Sequence, residues 1–101
     1  MIIIGEKING AIPSTGKAIL EKNEAFIRDL AIKQAAAGAN FIDVCASVDD
    51  DIELETMKWL IDIVQDATDV PIAVDSPNVF TCIESMKFCK KPGLFNSVSM
   101  E

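Results

Sequence analysis

Residues 71–78 read Pro71-Ile72-Ala73-Val74-Asp75-Ser76-Pro77-Asn78. Ile72, Ala73 and Val74 form a short apolar run without polar alternation, the pattern of a parallel strand covered on both faces. The run stops at Asp75. Ser76 and Pro77 then read as an N-cap and a first helical residue, so the carboxylate stands where a strand passes into a helix. In parallel α/β folds, sites are built at that end of the strands.

The same pattern occurs three more times. Ile2 to Ile4 lead into Gly5-Glu6-Lys7-Ile8-Asn9-Gly10, Phe41-Ile42-Asp43-Val44 into Cys45-Ala46-Ser47, and Leu94-Phe95-Asn96 into Ser97-Val98-Ser99. Helical stretches separate these runs. The sequence therefore predicts an α/β fold of four parallel strands with intervening helices, with Glu6, Asn9, Asp43, Asp75 and Asn96 directed toward a common rim.

A chain of 101 residues is one domain at most, and a hydrophobic content of 50% with 25% charged residues suits a globular protein. The formal net charge of -7 disfavours a nucleic-acid surface, since Lys87, Lys90 and Lys91 are the densest basic cluster. Those lysines suit the carboxyl end of a helix. Cys45, Cys82 and Cys89 are odd in number without CxxC spacing, against a disulfide framework or a zinc site, and point to a reducing cytoplasm. No apolar run approaches a membrane span, and no basic segment precedes a signal-like core. Histidine, the commonest general base and transition-metal ligand, is absent from the sequence.

Taken in order, Met1 to Ile4 is the first strand, Gly5 to Thr15 a polar loop, and Gly16 to Glu21 a short helical turn. A long helix starts at Asn23 as cap and runs to Ala37, where Gly38 stops it. Its buried stripe contains Phe26 or Ile27, Leu30, Ala31 and Gln34-Ala35, with Arg28, Asp29 and Lys33 facing water. Asp49-Asp50-Asp51 precedes a helix over 52–67; three carboxylates there offer a metal site as one reading, but the helix dipole alone favours acidic residues at that end. Leu54, Met57, Leu60, Ile61 and Val64 form its inward stripe, and Trp59 is peripheral or on a contact surface. A third helix spans Pro77 to Lys90 with Val79, Cys82, Ile83, Met86 and Cys89 inward. Pro92-Gly93 then turns into a strand from Leu94 to Val98.

Four βα units are half of a closed (β/α)8 barrel, which needs eight strands. Residues 1–101 are accordingly expected to be the N-terminal half of a TIM barrel. Such a half leaves outer strand edges and inward strand faces without partners, which predicts a homo-oligomer or a longer protein.

With these residues placed, the chain resembles the pterin-binding TIM-barrel family, in its methyltetrahydrofolate:corrinoid methyltransferase branch. The resemblance is carried by Ile4-Gly5-Glu6-Lys7-Ile8-Asn9-Gly10, Phe41-Ile42-Asp43-Val44, Val74-Asp75-Ser76 with Asn78, and Phe95-Asn96-Ser97-Val98-Ser99-Met100-Glu101. It implies an enzyme moving a methyl group between N5 of methyltetrahydrofolate and the cobalt of a cobalamin carried on a separate corrinoid protein. It implies that Asp75 accepts from the amino-pyrimidine edge of the pterin, as an acceptor-only carboxylate can. Asn96 then supplies donor and acceptor to the same ring, Asp43 lies near the pocket floor, and Glu6 and Asn9 shape the rim. Asn78 and Ser97 are supporting hydrogen-bonders. No catalytic residue and no metal ligand is assigned among the 101 residues, because the resemblance puts the N5-contacting asparagine on a later strand. The chain alone is therefore expected to be inactive.

At Cys45 several methyltransferases have asparagine, and thiol for amide removes a strong donor and acceptor. A catalytic thiol is the alternative to a pocket-lining one, although no nearby Lys cluster would lower its pKa. Bland readings remain for each residue: Asp43 and Asp75 as N-caps or loop carboxylates, and Asn96 as a turn-closing amide. At the level of the whole chain, the alternatives are a dihydropteroate synthase-like enzyme and a non-catalytic, self-associating half-barrel module.

Overall fold

The computed structural model describes residues 4–76, 78–90 and, as backbone, 94–96. The elements run β1 (Ile4–Asn9), α1 (Pro13–Leu20), α2 (Glu24–Ala36), β2 (Phe41–Cys45), α3 (Asp50–Ala67), β3 (Ile72–Asp75), α4 (Val79–Met86) and β4 (Leu94–Asn96). One sheet of order β1-β2-β3-β4 joins the strands, each parallel to its neighbour. A parallel neighbour needs a crossover connection, and the helices supply it.

Successive strand residues face opposite sides of the sheet. Ile8, Ile42, Val44, Ile72 and Val74 fall on one side and pack into a core with Ala18 and Ile19 of α1, Ile27 and Ala31 of α2, Met57, Leu60, Ile61 and Val64 of α3, and Cys82 of α4. Burial of each large aliphatic side chain contributes about 1.5–3 kcal/mol, so this side holds the fold together. Asp43, Cys45, Ala73 and Asp75 fall on the other side. Ala73 is fully buried yet lies outside the core cluster the helices form.

Several local causes are visible. Asn23 caps α2, its Oδ1 accepting from the Phe26 N–H at 3.3 Å, and Gly38 ends the helix at φ +93°, where glycine avoids a steric penalty. Arg28 joins α2 to α3, donating to Glu24 and Asp66 at 2.7 Å each. Trp59 is half-buried against the core, with the Lys22 ammonium 4.9 Å from its ring centroid.

The first segment departs from the sequence expectation. Strand β1 reaches Asn9, through residues expected in a loop, because side chains meet its irregular backbone. Its register with β2 shifts between Gly5 and Ile8. Within that shift, Lys7 N–H donates to Gln34 Oε1 and Lys7 C=O accepts from Thr15 Oγ1, each at 3.0 Å. Helix α1 then begins at Pro13, a residue suited to a first helical position, rather than at Gly16. At Gly10 the chain passes so close to the Ala46 carbonyl that a Cβ would overlap it.

The last helix departs as well. Helix α4 covers only Val79–Met86, capped by Asn78 rather than Ser76, and buries Thr81, Cys82 and Ser85. Val79, Phe80 and Ile83 are exposed instead of Val79 and Ile83 being inward. In α3, Glu53 occupies the inward face where Leu54 was expected; Leu54 is half-buried. Asp49 sits at the N-cap of α3 but forms no side-chain capping bond. Among the described residues, no group of His, Cys, Asp and Glu could hold a metal ion. Among the described residues, no helix is long and apolar enough to cross a membrane. The expected roles of Met1 to Ile3, Pro77, Pro92-Gly93 and Ser97 to Glu101 lie outside the described residues.

Candidate functional site

The strand registers bring four polar positions into one row at the carboxyl end of the sheet. Asn9 pairs with Cys45 across β1 and β2, and Asp75 pairs with Asn96 across β3 and β4. Val44 pairs with Val74, so Cys45 and Asp75, the next residue on each strand, are neighbours and close the row. Asp43 is two residues before Cys45 on the same face, paired with Ala73.

Asp43 and Asp75 are brought together. Their carboxyl groups share a hydrogen bond, and Glu6 is close enough to act on both electrostatically. Asp43 is only 6% exposed, and its Oδ1 is fully buried without a partner among the described residues. Burial, followed by the Asp75 charge and hydrogen bond and then Glu6, pushes the Asp43 carboxyl up to about 7. Burial also raises Asp75, as does Glu6, while the bond from Asp43 works in the opposite direction. Two adjacent carboxylates in a poorly solvated position cannot both ionise readily. Burial and the neighbouring carboxylates therefore favour the protonated form of Asp43, which can then donate to the half-exposed Asp75 at the rim.

The other expected residues are placed less directly. Glu6 is exposed on β1. Asn9 is half-buried and its Oδ1 accepts from the Ala11 N–H at 2.9 Å, so part of its amide closes the β1–α1 turn. Asn78 uses its Oδ1 to accept from the Thr81 N–H at 3.3 Å, which is a helix cap. Asn96 belongs to the row by backbone register, and Ser97 lies outside the described residues.

Cys45 is half-buried in the middle of the row. Burial, then the charges of Asp75 and Asp43, push its thiol up to about 11, despite a favourable bond from the Ser47 backbone. A thiol that burial and the nearby carboxyl groups keep neutral is a weak nucleophile.

Sequence reading missed Glu53. It is 2% exposed, and its carboxylate accepts from the Ser76 hydroxyl at 2.6 Å. Its position was legible: residues 53, 57, 60 and 64 recur at helical spacing, which puts Glu53 on the same stripe as Met57, Leu60 and Val64.

Two adjacent carboxyl groups with polar neighbours on adjacent strands can grip the hydrogen-bonding edge of a flat heterocycle. The chain is similar over its full length to a methylcorrinoid:tetrahydrofolate methyltransferase. Identity with that protein, from Eubacterium limosum, is 60% over 101 residues, and the chain spans 37% of the relative's length. No family model matches the chain.

Proposed function

We propose that these residues form one side of a pterin site, in the N-terminal half of a pterin-binding (β/α)8 domain. The protein is then an enzyme that transfers a methyl group between a methylated corrinoid protein and tetrahydrofolate. The observation that carries this reading is the meeting of Asp43 and Asp75 on one sheet face at the carboxyl ends of adjacent strands. The whole-length similarity to a protein named for this reaction supports it.

In this reading, Asp75 accepts from the N–H groups of the amino-pyrimidine edge, and the Asp43 hydroxyl holds the Asp75 carboxylate in one orientation. Asn96 and Asn9 border the same ring, and Glu6 closes the rim. Fixing the pterin plane points N5 toward the incoming methyl group, which contributes through orientation. In the direction of the relative's name, N5 attacks the methyl carbon, the cobalt–carbon bond breaks with its electron pair left on cobalt, and N5 loses its proton to solvent. In reverse, N5 must be protonated or hydrogen-bonded to leave. The 101 residues orient the pterin but supply no donor assigned to N5, so alone they bind without transferring methyl.

The test exchanges the matching segment of the Eubacterium limosum methyltransferase for this chain. The chimera is expected to methylate tetrahydrofolate from a methylated corrinoid protein, and the isolated chain is not. Loss of activity in a well-folded chimera, or equal rates from the isolated chain, would refute the assignment.

A structural reading is favoured by one observation: Val79, Phe80 and Ile83 expose an apolar face on α4, with Phe80 63% exposed. Dimerisation of the chain without any saturable tetrahydrofolate binding would establish a self-associating module instead.

A further inference from the structure

We propose that Glu53 is a positioning residue for Asp75, acting through Ser76; the proposal rests on the pterin reading of the rim. Glu53 stands in the first turn of α3 and is buried, so it does not itself reach a ligand at the rim. Its Oε2 accepts the hydroxyl proton of Ser76, the residue that follows Asp75, at 2.6 Å. That distance is typical of a charge-assisted O–H···O bond.

A serine hydroxyl has one proton, so donating it to Glu53 fixes where its lone pairs point. One of them accepts the Asn78 N–H at 3.0 Å. The Ser76 carbonyl accepts from the Cys82 thiol at 3.4 Å, and Asn78 caps α4 through Thr81. A single hydroxyl thus ties the start of α3 to the end of β3 and the start of α4. The direction in which Asp75 leaves the sheet is set by the turn that this hydroxyl holds.

Nothing in the packing alone asks for a carboxylate here. An apolar side chain would extend the stripe of Met57, Leu60 and Ile61 without the cost of burying a charge. The α3 N-terminus favours a negative group, but Asp50 and Asp51 already supply that at the surface. What Glu53 adds is a hydrogen-bond acceptor aimed at the turn beside Asp75.

The test measures tetrahydrofolate affinity of the full-length protein by titration calorimetry. Glu53→Leu and Ser76→Ala are each expected to weaken binding about tenfold, while Glu53→Gln, which keeps an acceptor for Ser76, stays within about threefold. Ser76→Ala and Glu53→Gln cover the case in which the leucine disturbs folding. In an Asp75→Asn background, Glu53→Leu is expected to cost less than about twofold, because residues acting as a unit are non-additive. Equal losses in both backgrounds, or wild-type affinity in both Glu53→Leu and Ser76→Ala, overturn the proposal. Amide exchange at Asn78 gives a readout free of any pterin: it is expected to quicken in Glu53→Leu and recover in Glu53→Gln, and an unchanged rate in Glu53→Leu also overturns the proposal. If Asp75→Asn by itself leaves tetrahydrofolate binding intact, the pterin reading fails, and Asn78 exchange still decides whether Glu53 holds the turn.

Discussion

The two faces of the sheet are built from alternate residues of the same strands and follow opposite rules. On the helix-covered face, Ile42, Val44, Ile72 and Val74 are at or near zero exposure and belong to the hydrophobic core. On the other, Asp43 and Asp75 meet in a position where burial raises both carboxyl groups. The first face stabilises the fold. The second draws on that stability to hold two carboxyl groups together, as functional sites commonly do. The difference teaches that shifting a strand by one residue would exchange core for site, so register is the property both faces depend on.

Substitutions on the two faces should therefore separate stability from binding. The largest effect is expected from Leu60→Ala in the covered core, which should lower unfolding stability by about 3 kcal/mol in a urea titration. If Leu60→Ala were tolerated without loss, the covered face would not be the stabilising one. Asp75→Ala is expected to leave stability nearly unchanged and to weaken tetrahydrofolate binding by about 2 kcal/mol, read by calorimetry. Unchanged affinity would remove the functional half of the contrast.

A smaller effect sharpens the same contrast through pH. The Asp43 carboxyl is raised in the fold from an ordinary 3.8 to about 7. The fold therefore favours its protonated form, and the associated stability is full below the ordinary carboxylate value and lost as pH rises through about 7. Asp43→Asn keeps a donor toward Asp75 and has no charge to bury. It is expected to gain about 1 kcal/mol over the natural chain at pH 8 and nothing at pH 3, measured by thermal unfolding across that range. A natural chain equally stable at pH 5 and pH 8 would contradict the raised Asp43 carboxyl. The smallest effect is expected at Asp49→Ala, within about 0.5 kcal/mol, since that side chain makes no capping bond.

The sequence carried much of this. The Asn23 cap and the Gly38 stop placed α2 to within a residue of its ends. The apolar runs at Phe41 and Ile72 placed β2 and β3 and put Asp43 and Asp75 near their carboxyl ends. Helix α4 was harder because its apolar residues lie on both sides. Spacing alone allowed Val79 and Ile83 inward, whereas the observed phase buries Thr81, Cys82 and Ser85. That phase goes with the Asn78 cap and the contact of Cys82 with Ser76. Strand β1 was underread because the groups that complete it, Gln34 and Thr15, lie in other elements.

By itself the sequence determined the order of strands and helices and which strand ends carry carboxylates, because capping, periodicity and chain-breaking residues act over a few positions. Only the tertiary structure decided that Asp43 lies beside Asp75, that Glu53 reaches Ser76, and which side of α4 is buried. Those outcomes depend on the register and packing of segments more than twenty residues apart, and no local pattern encodes the distance between them.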